Sequence, residues 1–127
     1  MKVIPFLNKN KKEDAEILRK LYIESNFFIM PSRKEFYGVV FCESAAFGLP
    51  VLSSITGGIP TIVKDGVNGY LLPLSADGKD YAEKIIEIIN SGTYEHLCNS
   101  SRQRYEEVLN WDIAGKNLEK KLKELYN

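Results

Sequence analysis

A net charge is the first thing this chain lacks. Its 17 lysines and arginines are cancelled by 17 aspartates and glutamates. A protein that holds nucleic acid or an anionic bilayer by charge needs a basic excess, so no nucleic-acid partner is expected. Histidine is nearly absent: the single His96 stands in a polar helical context and reads as a surface residue rather than a base or ligand. Cysteine is sparse, and Cys42 and Cys98 lie far apart with no CxxC. No grouping of His, Cys and Asp has metal spacing, so no metal and no cofactor are expected. Met1-Lys2 leads straight into VIPFL, too short for the apolar region of a secretory signal. No apolar run approaches the ~20 residues of a membrane-spanning helix. A reducing, cytoplasmic setting is the expectation. The sequence also lacks GxSxG, HExxH, a P-loop and GxGxxG, which removes the common signatures of serine hydrolases, zinc proteases and dinucleotide enzymes. It has no internal repeat, low-complexity tract or long linker.

What is present is an ordinary globular composition of 127 residues, 44% hydrophobic and 27% charged. That length predicts one domain. Residues 2–7 (KVIPFL) read as a short buried strand, with Pro5 placing it at an edge or strand end. NKNKKED reads as a solvated polar turn. A helix is expected from Glu13 or Asp14 to about Glu24, with Ile17, Leu18, Leu21 and Tyr22 as its apolar stripe. NFFIMPS (26–32) and PVLSS (50–54) read as buried parallel strands. The helix between them, near 39–47, ends at Gly48. IPTIV reads as one helical turn, 69–72 as a last short strand. Three helices follow: one marked by Tyr81, Ile85, Ile88 and Ile89, one from Tyr94 to Leu109, and one from Trp111 onward with Ile113, Leu118, Leu122 and Leu125 on one side. Alternating strands and helices with right-handed crossovers predict an α/β fold, a Rossmann-like parallel sheet flanked by helices.

The chemistry concentrates in Pro31–Pro50, PSRKEFYGVVFCESAAFGLP. From Val39 to Phe47 the only polar side chains are Glu43 and Ser44. A helix apolar all round is normally buried, and a carboxylate there is costly unless paired. Either a basic side chain reaches Glu43 or it is kept for a ligand. Cys42 beside it reads as a buried, inert thiol. Ligands of open α/β sheets bind outside the carboxyl ends of the strands. There the amides of Gly38, Val39 and Val40 open a helix, where backbone N–H groups and the dipole favour an anion. Gly57 and Gly58 of the TGG loop stand beside them. Glu43 lies one turn further on and can accept from a vicinal diol such as a ribose. With Glu35 as a second acid, the set describes a nucleotide-sugar site. The competing reading is structural: GG and DG pairs are commonly turns, and Glu43 is paired by an Arg or Lys. The residues alone leave both open.

The string PSRKEFYGVVFCESAAFGLPV, then TGGIP, then DGVNGYLL, with VLNWDIAGKNLEKKLKELY at the end, resembles the C-terminal, donor-binding domain of retaining GT-B glycosyltransferases, the large family 4 (glycosyl transferases group 1). The family pattern is E-x7-E, with Phe and Gly after the first acid, an Ala-x-Gly-x-Pro-Val tail and a GG loop. The resemblance implies transfer of a sugar from a UDP-, GDP- or ADP-sugar to an acceptor, with retention and without a metal, the nucleotide-sugar being substrate rather than cofactor. It assigns Glu35 to the reacting centre, as nucleophile or electrostatic stabiliser. It assigns Glu43 to the ribose hydroxyls, Phe36, Gly38, Val39 and Val40 to the donor sugar and diphosphate, and Gly57 and Gly58 to the same cleft. Two departures stand out. The family's Arg and Lys for the diphosphate sit on strands upstream of residues 2–7, and Thr61 stands where an acid usual to the family follows GGIP. Residues 1–127 are therefore expected to form a single partial domain, inactive alone. An N-terminal domain outside it would take the acceptor, a glycan or lipid-linked sugar of a polysaccharide pathway. The intact enzyme is expected in the cytoplasm or peripheral to the inner face of the plasma membrane. An exposed sheet edge is expected to favour a homo-oligomer. The alternatives are a non-catalytic nucleotide-binding or assembly module, and an epimerase or phosphorylase of the same architecture. The latter two lack their expected acids and histidine, or a pyridoxal-phosphate lysine.

Overall fold

The computed structural model describes residues 1–126. Three short parallel strands, β1 (Phe28–Met30), β2 (Val51–Ser54) and β3 (Gly69–Leu72), lie side by side in that order. Phe28 pairs with Val51, and Val51 with Gly69. The helices are α1 (Lys12–Glu24), α2 (Val39–Ala46), the single turn α3 (Ile59–Ile62), α4 (Gly78–Asn90), α5 (Tyr94–Arg104) and α6 (Trp111–Tyr126). The α/β class with helices on both faces is as the sequence implies.

The central strand β2 is buried along its whole length, and its alternation divides the core in two. On one face Val51 packs with Phe41 and Cys42 of α2 and with Ile59, Ile62 and Val63, joined by Phe28, Met30 and Leu71. On the other, Leu52 packs with Leu72, with Tyr81 and Ile88 of α4, and with Leu97 of α5. The two serines of β2 are satisfied in place. Ser53 donates to the Met30 carbonyl at 2.7 Å, and the Ser54 and Tyr81 hydroxyls meet at 3.0 Å. α5 also closes the far end of α2, where Arg102 donates to the Ala46 carbonyl; beyond the helix, Ser101 donates to the Leu49 carbonyl at 3.0 Å. Arg104 does the same for α3, donating to Ile62 and Thr61 carbonyls at 2.9 and 3.0 Å. Cations at helix C-termini complement the dipole.

Several sequence expectations are corrected. Residues 2–7 form no strand; Val3 and Phe6 are 78% and 91% exposed. Pro5 has no N–H to give a ladder, and an unpartnered strand gains too little to order itself. The strand read over 26–32 is three residues long, Phe28–Met30, with Pro31, which has no N–H to give, at its end. The helix expected over Tyr94–Leu109 is α-helical only to Arg104. A π-helical turn, Tyr105–Leu109, follows, its carbonyls at Tyr105 and Glu106 accepting from the Asn110 amide at 2.9 and 2.8 Å. α1 and α6 bury no residue fully. Finally, α2 is buried on one side only: Phe41, Cys42, Ser44 and Ala45 face inward, while Val39 is 45% exposed.

Candidate nucleotide-sugar site

The site is built at the start of α2. Gly38 immediately precedes the helix with φ 83°, ψ 65°, the left-handed region. A Cβ there would stand 2.4 Å from the Phe41 ring, so both backbone angle and space require glycine. No side chain caps the helix. Among the described residues the amides of Gly38, Val39 and Val40 donate to nothing. They are the unsatisfied donors that an anion would take.

The loop before the helix is held by backbone contact with the TGG loop. The Gly58 amide donates to the Glu35 carbonyl at 3.2 Å, and Thr56 donates its hydroxyl to the Arg33 carbonyl at 3.1 Å. A Cβ on Gly57 would lie 1.8 Å from the Glu35 carbonyl oxygen, and one on Gly58 2.1 Å from that of Phe36. The glycine pair is thus a seat for residues 35–37. The Gly58 amide is committed to that seat rather than open to a ligand as the sequence implies. Glu35 is half-buried beside the helix start, and its carboxylate makes no ion pair or hydrogen bond among the described residues. Phe36 is almost fully exposed at the same rim.

Glu43, one turn into α2, is reached by a basic side chain after all. Lys9, from the turn read as merely solvated, forms an ion pair with its Oε1. Tyr22 of α1 donates its hydroxyl to Oε2 at 3.2 Å. Tyr22 is itself clamped, its ring parallel to Phe47 at 5.0 Å and stacked on Phe28 at 6.1 Å. Burial first, then the charge and hydrogen bond of Glu43, push the Tyr22 phenol up to about 12, so it stays a donor throughout the neutral range. Neither Lys9 nor Tyr22 stood out as functional: one lay in a charge run, the other in an apolar stripe. The only sequence signal for them was the lone carboxylate itself, which demanded a partner. The Glu43 side chain retains 30% of its surface exposed, and a carboxylate has about four lone-pair sites. Two donors therefore leave acceptor capacity facing out. Burial pushes the Cys42 thiol up, which fits an inert packing residue. No group of three His, Cys, Asp or Glu side chains among the described residues is arranged to hold a metal ion.

Glu35 on the preceding loop and Glu43 one turn on thus flank an uncapped helix start in the chain. Residues 2–108 match the family model described as glycosyl transferases group 1. The chain belongs to the group 1 glycosyltransferase family. It is 31% identical, over 132 aligned residues, to an uncharacterized glycosyltransferase of Methanocaldococcus jannaschii, an alignment covering 98% of this chain and 37% of that protein. Among solved structures it superposes on sucrose-phosphate synthase from Thermosynechococcus elongatus with a TM-score of 0.72 and 28% identity, covering 87% of this chain and 28% of that one. It also superposes on the pneumococcal O-GlcNAc transferase in complex with UDP and GlcNAc, with a TM-score of 0.68 and 28% identity, covering 87% and 23%. The group 1 chain described here thus spans about a quarter to a third of the length of these proteins, and its parallel sheet with flanking helices is that of GT-B glycosyltransferases.

Proposed function

We propose that residues 1–127 form the donor-binding part of a retaining glycosyltransferase that moves a sugar from a nucleotide-sugar to an acceptor. The observation that carries this reading is the start of α2, with three unpartnered amides at Gly38, Val39 and Val40 and Glu43 one turn away. The diphosphate of the donor takes the amides and the helix dipole. The ribose diol donates to the outward lone pairs of Glu43. Glu35 faces the donor sugar at its anomeric carbon, where positive charge develops as the bond to the diphosphate breaks. A carboxylate aimed at that charge lowers the barrier whether or not it bonds to the carbon. Phe36, at the exposed rim, covers the sugar. Gly57 and Gly58 act by seating the Glu35–Tyr37 backbone.

UDP is the donor nucleotide the comparisons favour, since the pneumococcal relative was solved with it. No metal takes part in this reading: the helix start meets the diphosphate instead. The acceptor, a glycan or lipid-linked sugar, is held by a domain outside residues 1–127. The protein works in the cytoplasm or at the inner membrane face. A leaving diphosphate also needs cations, and neither Arg33 nor Lys34 occupies the family's cationic positions. The purified chain is therefore expected to bind UDP and to show no turnover. Incubation with UDP-sugars, read by UDP release, tests this. Measurable transfer or hydrolysis by the chain alone would overturn the claim of inactivity. Loss of UDP binding in Glu43→Gln would support the site.

A further inference from the structure

We propose that Tyr22 and Lys9 are positioning residues for Glu43, fixing the carboxylate so that its free lone pairs meet a ribose diol. This rests on the ribose role of Glu43 proposed above. Glu43 comes from a helix whose buried side is packed on the sheet, but its own side chain points from the rim, 30% exposed. A glutamate there has three free torsions and would sample several rotamers, whose loss on binding opposes affinity. The contacts from the α1 side remove that freedom. Tyr22 and Lys9 each take one oxygen of the carboxylate, from 21 and 34 positions away in the chain. They differ in kind. The Tyr22 ring is locked between Phe47 and Phe28, so its hydroxyl is a fixed point. Lys9 is 56% exposed on a loop and acts as a softer counter-charge. Two side chains from separate segments converge on one acid that packing does not need. The hydroxyl and ammonium are both donors, so they orient an acceptor and leave it an acceptor.

The test is discrimination between UDP and 2′,3′-dideoxy-UDP, measured by calorimetry on the full chain. Tyr22→Phe keeps the stacked ring and removes only the hydroxyl. A net hydrogen bond is worth a factor of roughly 2 to 12, so the preference for UDP is expected to fall by about that factor in Tyr22→Phe. An exposed ion pair is worth less, and Lys9→Met is expected to lower the preference about twofold. Affinity for the dideoxy compound, which cannot use Glu43, is expected to stay unchanged; a merely structural role would lower both alike. If the wild type prefers UDP and Glu43→Gln abolishes the preference, while both other variants keep it whole, the positioning role is refuted and the ribose role stands. If the wild type shows no preference, or Glu43→Gln keeps it, the ribose role itself fails. A readout without nucleotide closes the case. The Tyr22 phenol, raised to about 12 by burial and then by Glu43, is expected to titrate lower in Glu43→Gln while staying raised by burial, followed by the ring carbon in NMR. No change there would refute the contact outright.

Discussion

The starts of α2 and α4 lie on opposite faces of the same sheet and are finished in opposite ways. α4 closes its own donors. Asp77 accepts from the amides of Lys79 and Asp80 at 2.8 and 3.2 Å, and Asp80 accepts from the amide of Asp77 at 2.8 Å. This reciprocal capping box is a structural device that needs no ligand. α2 opens on a left-handed glycine with no side-chain cap. Its partner at the C-terminal end is supplied instead, by Arg102 of α5. A capped start spends its electrostatic field on folding. A start without a side-chain cap is shared by α1 and α5; the mark particular to α2 is the left-handed Gly38 before it. On the function proposed above, its open donors are kept for a ligand.

Substitutions sharpen the contrast, the largest effect falling on the uncapped helix. Gly38→Val places a side chain at φ 83° against the Phe41 ring. Left-handed strain of roughly 1–2 kcal/mol adds to overpacking of roughly 1–3 kcal/mol. Denaturant unfolding is expected to show about 2–5 kcal/mol lost. Asp77→Ala removes the cap of α4 and is expected to cost about 1 kcal/mol, with UDP affinity untouched; a loss of affinity would break the division between site and support. Glu43→Gln reverses that pattern. Its exposed pair with Lys9 is worth less than about 1 kcal/mol, so stability moves little while UDP affinity falls by roughly tenfold, as for a charge-assisted hydrogen bond. The last effect is alkaline. The folded state holds the Tyr22 proton up to about 12, against 10.0 unfolded. The stability this contributes is whole below pH 10 and is lost as pH rises from 10 through 12. The stability of wild type relative to Tyr22→Phe should fall over that window, and parallel curves would contradict the shift.

How much of this was legible in the sequence depended on distance along the chain. The α2 run, its glycine, the two acids and the strands at 50–54 and 69–72 were readable because each is a local pattern of periodicity and turn residues. The failures were contacts between distant segments. A charged turn at Lys9 looks solvated until folding brings it 34 positions across to Glu43. The Gly57-Gly58 pair looked like a source of ligand amides; only the folded approach to the Glu35 and Phe36 carbonyls shows it to be a seat. The strand expected at 2–7 rested on apolar composition, but a strand exists only with a neighbour, and β1 is paired on one side alone. The π-helical turn at Tyr105–Leu109 had no periodic signature, since it depends on where the Asn110 side chain lands.

The central claim is that the start of α2 and Glu43 form a preformed donor site. The most direct measurement is an amide-resolved NMR titration of the full chain with UDP, beside Glu43→Gln. The account predicts shifts centred on Gly38 to Glu43, strongest at Gly38, Val39 and Val40, and markedly weakened in the variant at equal ligand. Shifts centred at the capped start of α4, or shifts at α2 that Glu43→Gln leaves unchanged, would contradict it.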